Sequence, residues 1–337
     1  MPVWDLIRNS LSSRGPIQFG SGSAPAVLIR GAGFPTSGTS GTGAQAASRD
    51  QYAGPGSIYI DTTRMTEWIN EGTAASPYWT PTSPDQPGLI SVSAKDFRGS
   101  DSKANNDSAT SVALAPSGWT VLGDGVHETD SGAVVQVTET DGRTPIRVTT
   151  SDAAGDLAAL AYAIVSAGGP YQPDVNGLAI LDCILTNVSA ITARIVGIGF
   201  VGLAPVGLTD PVTAATTITT LVNDDLALLY MASTAGDPNR IIAAHNKSDA
   251  AGTQDYSSDT DLNTGVDMAA AGTKQRFRVE IGADGDMRGF IDKVEVFDQP
   301  IAVDVDDPLN ALIYISPTTS TLAIMDVARA DFYMGAP

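Results

Sequence analysis

The sequence predicts an all-β protein: an antiparallel jelly-roll β-sandwich preceded by an extended N-terminal arm and a small β-hairpin module. Three observations predict it. Gly and Pro, 34 and 20 of 337 residues, make up about a sixth of the chain and interrupt regular structure too often for long helices. Asp greatly outnumbers Glu, and Asp favours turns and caps over helix interiors. From Gly88 onward, runs of strand length alternate with turn signals, roughly ten or more of them, which is the pattern of a sandwich or jelly roll.

Residues 1–50 read as an attachment arm. Trp4, Ile7 and Leu11 fall at i, i+3 and i+7, one apolar stripe on a short helix. Gly31 to Ser48, GAGFPTSGTSGTGAQAAS, lacks the apolar surface to fix itself and is expected to be extended or flexible until a partner orders it.

Residues 51–87 read as a small β-hairpin module and linker. Within them, GPGSIYIDTTRMTEWINEGTAASPYWT, residues 54–80, holds two aromatic-rich strands, each followed by turn chemistry and closed by Pro81. Pro81 to Pro87 is a linker by composition.

Residues 88–337 read as the jelly-roll sandwich. Val134 to Glu139, the Asp141-Gly142 turn and Pro145 to Thr149 form a hairpin signal. In Arg276 to Ile281, Phe277, Val279 and Ile281 alternate with Arg278 and Glu280, which predicts one buried and one wet face. Asp284-Gly285 turns into Arg288 to Phe297, and Leu309 to Ile315 and Leu322 to Phe332 supply two more strands. Ala153 to Ala167 suits a helix by composition and a strand by surroundings; strand is favoured.

The chain carries 38 Asp and Glu against 19 Lys and Arg, a net charge of −19. That balance argues against a nucleic-acid binder, whose phosphate contacts need basic patches, and suits either simple solubility or a basic partner surface. The N-terminus MPVWDLIRNS lacks the basic region and apolar block of a signal peptide, and no run of about 18 apolar residues offers a membrane span. Cys183 is the sole cysteine, which excludes an intrachain disulfide, and its apolar run Leu178 to Ile184 predicts a buried small hydrophobe.

No motif points to catalysis. Gly197-Ile-Gly-Phe-Val-Gly202 has dinucleotide-fingerprint spacing, yet Pro205, Gly207 and Pro211 follow where the motif needs a helix. His127 and His245 lie in polar, turn-rich contexts without a ligand partner at i, i+4, and no G-x-S-x-G elbow marks a nucleophile. Carboxylate clusters at Asp304, Asp306 and Asp307, at Asp255, Asp259 and Asp261, and at Asp284 and Asp286 are read as solvated turns, with Ca²⁺ ligation as the sharper alternative. Trp119 and Tyr256 are the aromatic candidates for stacking a sugar, with core packing the commoner role for Trp119. No catalytic residue, metal or cofactor is assigned.

Two resemblances give a direction. Gly56 to Thr62, Trp68 to Asn70, Gly72 to Pro77, and Tyr78 with Trp79 resemble a small module of tailed-bacteriophage virion proteins. Residues 274–337 resemble the closing strands of the jelly-roll domain of phage head-fibre and decoration proteins, itself similar to concanavalin and laminin-G sandwiches. The matching positions are Arg276, Arg278, Glu280, Ile281, the turn Asp284 to Asp286, and Phe290 to Asp292. Gly282 stands where the family often has Asp, and Lys293 where it has the turn Gly. Val222 to Ala232 resembles a further segment of that family.

The resemblance implies a non-enzymatic virion protein on the exterior of the phage head: a capsid decoration or head-fibre protein, self-associating as a homotrimer. The expected partners are the major capsid protein or another virion protein. Trp4, Ile7, Leu11, Tyr59, Trp68, Tyr78 and Trp79 are the expected partner-binding residues. The four aromatics of the module are expected to be buried against copies of themselves or against the capsid, because a lone hairpin is too small to be stable. The alternatives are a carbohydrate-binding fibre or tail protein that recognises a host-surface glycan, and a glycan hydrolase on the same sandwich.

Overall fold

The computed structural model describes residues 17–19, 25–44, 52–83, 86, 88–93, 111–114, 119–122, 134–136, 145–150, 157–162, 170–188, 194–202, 212–214, 218–220, 225–232, 239–247, 253–254, 263–320 and 322–336. The chain divides into two compact units. One takes in residues up to Ile90 with Lys293–Glu295 and Gly335–Pro337; the other takes in Ser91–Asp292 and Val296–Met334.

The first unit is a five-stranded sheet of β1 (Ile17–Phe19), β2 (Ala26–Gly31), β3 (Ile58–Asp61), β4 (Thr66–Asn70) and β5 (Trp79–Pro81), in that spatial order. β2 and β3 run parallel, and the other pairs are antiparallel. The register sets Tyr59 opposite Trp68 and Asn70 opposite Trp79, so one face carries the aromatics. Tyr59, Trp68, Tyr78 and Trp79 are each at most 4% exposed. Their burial is supplied by the chain itself, which corrects the expectation that copies or a capsid would cover them.

The Gly/Ser/Thr-rich stretch is corrected in the same way. Its described part, residues 31–44, is fixed by its own chain because the aromatics reach back to it. The Trp79 indole N–H donates to Thr42 O at 3.0 Å, the Trp79 amide to Ser37 Oγ at 3.1 Å, and the Tyr59 hydroxyl to Gly33 O at 2.9 Å. The Phe34 ring meets Trp68 edge-on at 5.4 Å, and the Arg64 guanidinium lies 4.6 Å from the Phe34 centroid.

Chain connectivity passes through β6 (Leu89–Ser93) to the second unit. Its strands begin with β7 (Ser111–Leu114), β8 (Trp119–Leu122), β9 (Val134–Gln136), β10 (Ile146–Thr149), β11 (Ala158–Tyr162), β12 (Ala179–Asn187) and β13 (Arg194–Val201). There follow β14 (Val212–Ala214), β15 (Ile218–Thr220), β16 (Leu226–Ala232), β17 (Arg240–Asn246), β18 (Thr253–Gln254) and β19 (Asn263–Asp267). The last are β20 (Lys274–Ile281), β21 (Met287–Ile291), β22 (Val294–Gln299), β23 (Asn310–Pro317) and β24 (Ile324–Gly335), and a one-turn helix, α1 (Pro173–Asn176), precedes β12.

These strands form the expected antiparallel sandwich. One sheet contains the path β22-β21-β20-β12-β24-β10-β9; the other runs β19-β17-β16-β13-β23-β11-β8-β7; β14, β15 and β18 make a small third sheet. The two large sheets meet face to face: Phe200 of β13 packs 6.2 Å from Phe332 of β24, and Tyr162 of β11 packs 4.9 Å from the same ring. β13 and β23 are buried on both faces, which is why their sequences read as continuous apolar runs rather than alternations. The hairpin signal near residue 140 appears as β9 paired with β10, and the ambiguous Ala153 to Ala167 contains the strand β11. Cys183 is buried, and burial pushes its thiol well above the ordinary value.

Two local readings change. β20 has no wet face: Arg278 and Glu280 are buried as a pair at 2.9 Å, and Arg276 is bidentate to Asp182 of β12 at 2.8 and 2.5 Å. Burial alone would raise the Asp182 carboxyl; the Arg276 hydrogen bond and the charges of Arg278, Arg276 and Arg329 outweigh it and hold the pKa below the usual value. The turn from β21 to β22 needs no glycine: Asp292 and Lys293 adopt φ of 50° and 70°, the left-handed pair of a type I′ hairpin.

Candidate functional site

Among the described residues, three carboxylates converge at one end of the sandwich. Val201, Leu226, Asn246 and Asn310 are aligned in register, so the end of β13, the start of β16, the end of β17 and the start of β23 share that end. Asp225 stands immediately before β16, and its backbone oxygen accepts from the Gly202 amide at 2.8 Å. The segment leading into β23 carries Asp304 and Asp307. It is pinned by backbone bonds that include Ala302 N–H to Gly285 O at 2.8 Å, Asp174 N–H to Val305 O at 3.0 Å, and Leu309 N–H to Tyr171 O at 2.7 Å.

The result is a three-carboxylate group. Oxygens of Asp225, Asp304 and Asp307 lie within 4.8 Å of one another, with Asp225 buried and the other two half-buried. The Asp304 amide donates to Asp225 Oδ2 at 3.1 Å, and Lys247 Nζ pairs with Asp304 Oδ1 at 3.1 Å. Burial pushes the Asp225 carboxyl up to about 7; the Asp304 amide opposes the shift, and the Asp307 and Asp304 carboxylates reinforce it. Three carboxylates beside one ammonium favour taking up a proton. Their oxygens are also of the kind a hard cation such as Ca²⁺ selects, which needs six to eight oxygen ligands.

Asp304 and Asp307 belong to a cluster visible in the sequence, whereas exposed Asp306 is outside the group. Asp225 was missed as a partner. Its signal was its place in Asn223-Asp224-Asp225, just before an apolar strand 79 residues upstream of Asp304, and only the sheet register brings the two together.

The other candidates separate. Tyr59, Trp68, Tyr78 and Trp79 form the core of the first unit; burial, then the Asp61 carboxylate, pushes the Tyr59 hydroxyl up to about 12. Trp4, Ile7 and Leu11, and likewise His127, Tyr256, Asp255, Asp259 and Asp261, lie outside the described residues. Trp119 is fully buried, its ring edge-on to Tyr162 at 6.0 Å, so it offers no platform for a sugar. His245 packs 6.0 Å from the Phe297 ring. Asp286 Oδ1 accepts from the Ile301 amide at 3.0 Å, a turn role.

The fingerprint glycines also take structural roles. All of Gly197 to Val201 is strand, and a Cβ on Gly197 would come within 2.0 Å of the Tyr314 ring. A Cβ on Gly199 would come within 2.0 Å of Ala227 O. The spacing reflects close packing between strands, not a phosphate turn.

No family model matches the chain, and no curated protein matches it. Among solved structures, it is similar to the Emp47p carbohydrate recognition domain, at 11% identity and a TM-score of 0.44 over 73% of this chain and 95% of that one. A carbohydrate esterase from Shiga toxin-encoding bacteriophage phi24B aligns at 12% identity and a TM-score of 0.37, over 65% of this chain and 91% of that one. A native glycosidic hydrolase aligns at 13% identity and a TM-score of 0.38, over 72% of this chain and 94% of that one. Function is therefore read from this chain's own residues.

Proposed function

We propose that this chain is a non-enzymatic structural protein of a tailed-phage particle, a decoration or head-fibre protein on the head exterior, bound through its N-terminal region and presenting the sandwich outward. The observation that carries this reading is where the virion-like residues fall. Gly56 to Thr62, Trp68 to Asn70, Gly72 to Pro77, Tyr78 and Trp79 are the residues from which a separate compact unit with its own aromatic core is built. A discrete small unit followed by a large sandwich suits a division between attachment and display. The mechanism is binding, with the major capsid protein or another virion protein as partner.

The test is co-sedimentation with purified heads that lack the protein. The full chain is expected to sediment with the heads, and a chain without residues 1–90 is expected to stay in the supernatant as a folded sandwich. A shorter deletion of residues 1–50 would not isolate the arm, because it removes β1, β2 and the loop that covers Trp79. A full chain that ignores the heads overturns the proposal. If it instead gives a specific signal on a glycan array, the carbohydrate-binding reading replaces it.

A further inference from the structure

The segment that joins β22 to β23 is held from two sides. The Ala302 and Val303 amides donate to Gly285 O in the β20–β21 turn at 2.8 and 3.2 Å, and the Asp174 amide of α1 donates to Val305 O at 3.0 Å. Backbone bonds fix this segment, yet it displays apolar side chains to water. Among the described residues four large apolar side chains are exposed, and two of them stand here, Val175 of α1 at 48% and Ile301 at 54%. Ile301 also holds a φ of 52°, a left-handed conformation that is strained for a β-branched residue. The fold does not need isoleucine at this position: its amide donates to Asp286 Oδ1 at 3.0 Å, a bond that Asn would keep while tolerating the conformation. Val305 is half-buried between them, and Ile301 to Val305 spans at most about 14 Å.

We propose that Val175, Val305 and Ile301 form a docking surface for a basic, aliphatic segment of another protein, one in which Lys or Arg alternates with apolar side chains. Charge selects that occupant. Asp174 adjoins Val175, Asp306 adjoins Val305 and Asp284 adjoins Gly285, and all three are exposed; Asp286 and Asp304 are half-buried beside them. Among the described residues, Asp304 is the member of these five that makes an ion pair, with Lys247, while Arg288 of β21 pairs with Asp298 at 3.4 Å. The rim of the apolar patch is thus a set of carboxylates whose field attracts cations. A second copy would bring the same rim and the same net charge of −19, and nucleic acid or an anionic lipid surface would bring phosphates. Each of these is repelled. A basic, aliphatic segment meets both demands, since its apolar groups leave water against Val175 and Ile301 while its cations pair with the rim. The surface belongs to the second unit, so the proposal does not rest on the attachment reading, which concerns the first.

The test uses the full chain and two synthetic peptides of equal length and charge, one alternating Lys with Leu and one alternating Lys with Ser. Fluorescence anisotropy at about 0.15 M salt, where distant charges are screened, should give the Lys/Leu peptide a Kd about tenfold lower than the Lys/Ser peptide. Hydrogen exchange should show protection by the Lys/Leu peptide at residues 173–176, 283–286 and 300–307. The deciding variant combines Val175→Ser with Ile301→Asn. Both sites are exposed and Asn suits the left-handed backbone, so thermal unfolding should keep the wild-type midpoint while the Lys/Leu affinity falls to that of Lys/Ser. Asp284→Asn with Asp306→Asn should weaken both peptides. Equal affinity for the two peptides overturns the proposal, as does a double apolar variant that binds Lys/Leu like the wild type. A wild-type dimer that Ile301→Asn dissociates also overturns it, by making a second copy the occupant.

Discussion

The two compact units reach a buried core by different means. The first is small, and it fills its interior with three large aromatic side chains of a single sheet face, then ties them to loops through polar bonds. Asn70 Oδ1 accepts from the Gly72 and Tyr78 amides at 2.8 and 2.7 Å, and Asp61 Oδ1 accepts from the Gly33 and Thr63 amides at 2.9 and 2.8 Å. The sandwich instead stacks two broad sheets with aliphatic rows such as Ile195, Val196 and Ile198 and aromatics where the sheets meet. The difference follows from surface-to-volume scaling. A small unit has little apolar area per residue to bury, so its core side chains must be large.

That contrast breaks most readily at Trp79. Trp79→Ala removes one of the two indoles of the first core and the donor to Thr42 O. The expected loss is about 3–5 kcal/mol, concentrated in the first unit. Denaturant unfolding followed by limited proteolysis should show residues 17–83 cleaved early while the sandwich transition stays in place. Coincident loss of both units would mean that they do not have independent cores.

Within the sandwich the corresponding weak point is backbone proximity. Gly197 lies opposite Tyr314, and the ring occupies the space a side chain would need. Gly197→Ala is expected to cost about 1–3 kcal/mol through forced displacement of the ring or strand. Thermal unfolding should show that shift in the sandwich transition alone. An unchanged midpoint would show that the sheet yields more easily than its packing suggests.

Periodicity along a strand is legible in the sequence, whereas partners brought together by register are not. Strands with a short period or a continuous apolar run were legible: β9 with β10, β11, and the Phe277, Val279, Ile281 side of β20. The other side of β20 was not, since Arg278 and Glu280 look solvated until Asp182, nearly a hundred residues earlier, is set beside Arg276 and Arg278. Residues 31–44 were misread for a related reason. Their composition holds one large apolar side chain, Phe34, and the groups that fix the stretch, Trp68, Tyr59 and Trp79, lie far along the chain. Two of the three acidic-site members were visible as Asp304 and Asp307; the buried member, Asp225, joins them only through the register of β13 with β16 and β23.

Buried aspartates sharpen the comparison at its finest scale. Asp61 in the first unit is met by backbone amides, whereas Asp225 in the sandwich faces Asp304 and Asp307, with Lys247 paired to Asp304 and one amide as compensation. With its folded pKa at about 7 against an ordinary 3.8, Asp225 holds a proton in the folded state at pH values where the unfolded chain has released it. Stability from this group is therefore present at low pH and lost as pH rises through 7. For a single such proton, lowering the pH from 7.5 to 6.5 should add about 0.7 kcal/mol to the unfolding free energy. Asp225→Asn removes the titrating group, so its stability should change less over the same step, while the wild type gains. Parallel wild-type and variant profiles would show that Asp225 is ionised throughout this range and that the carboxylates are compensated in another way.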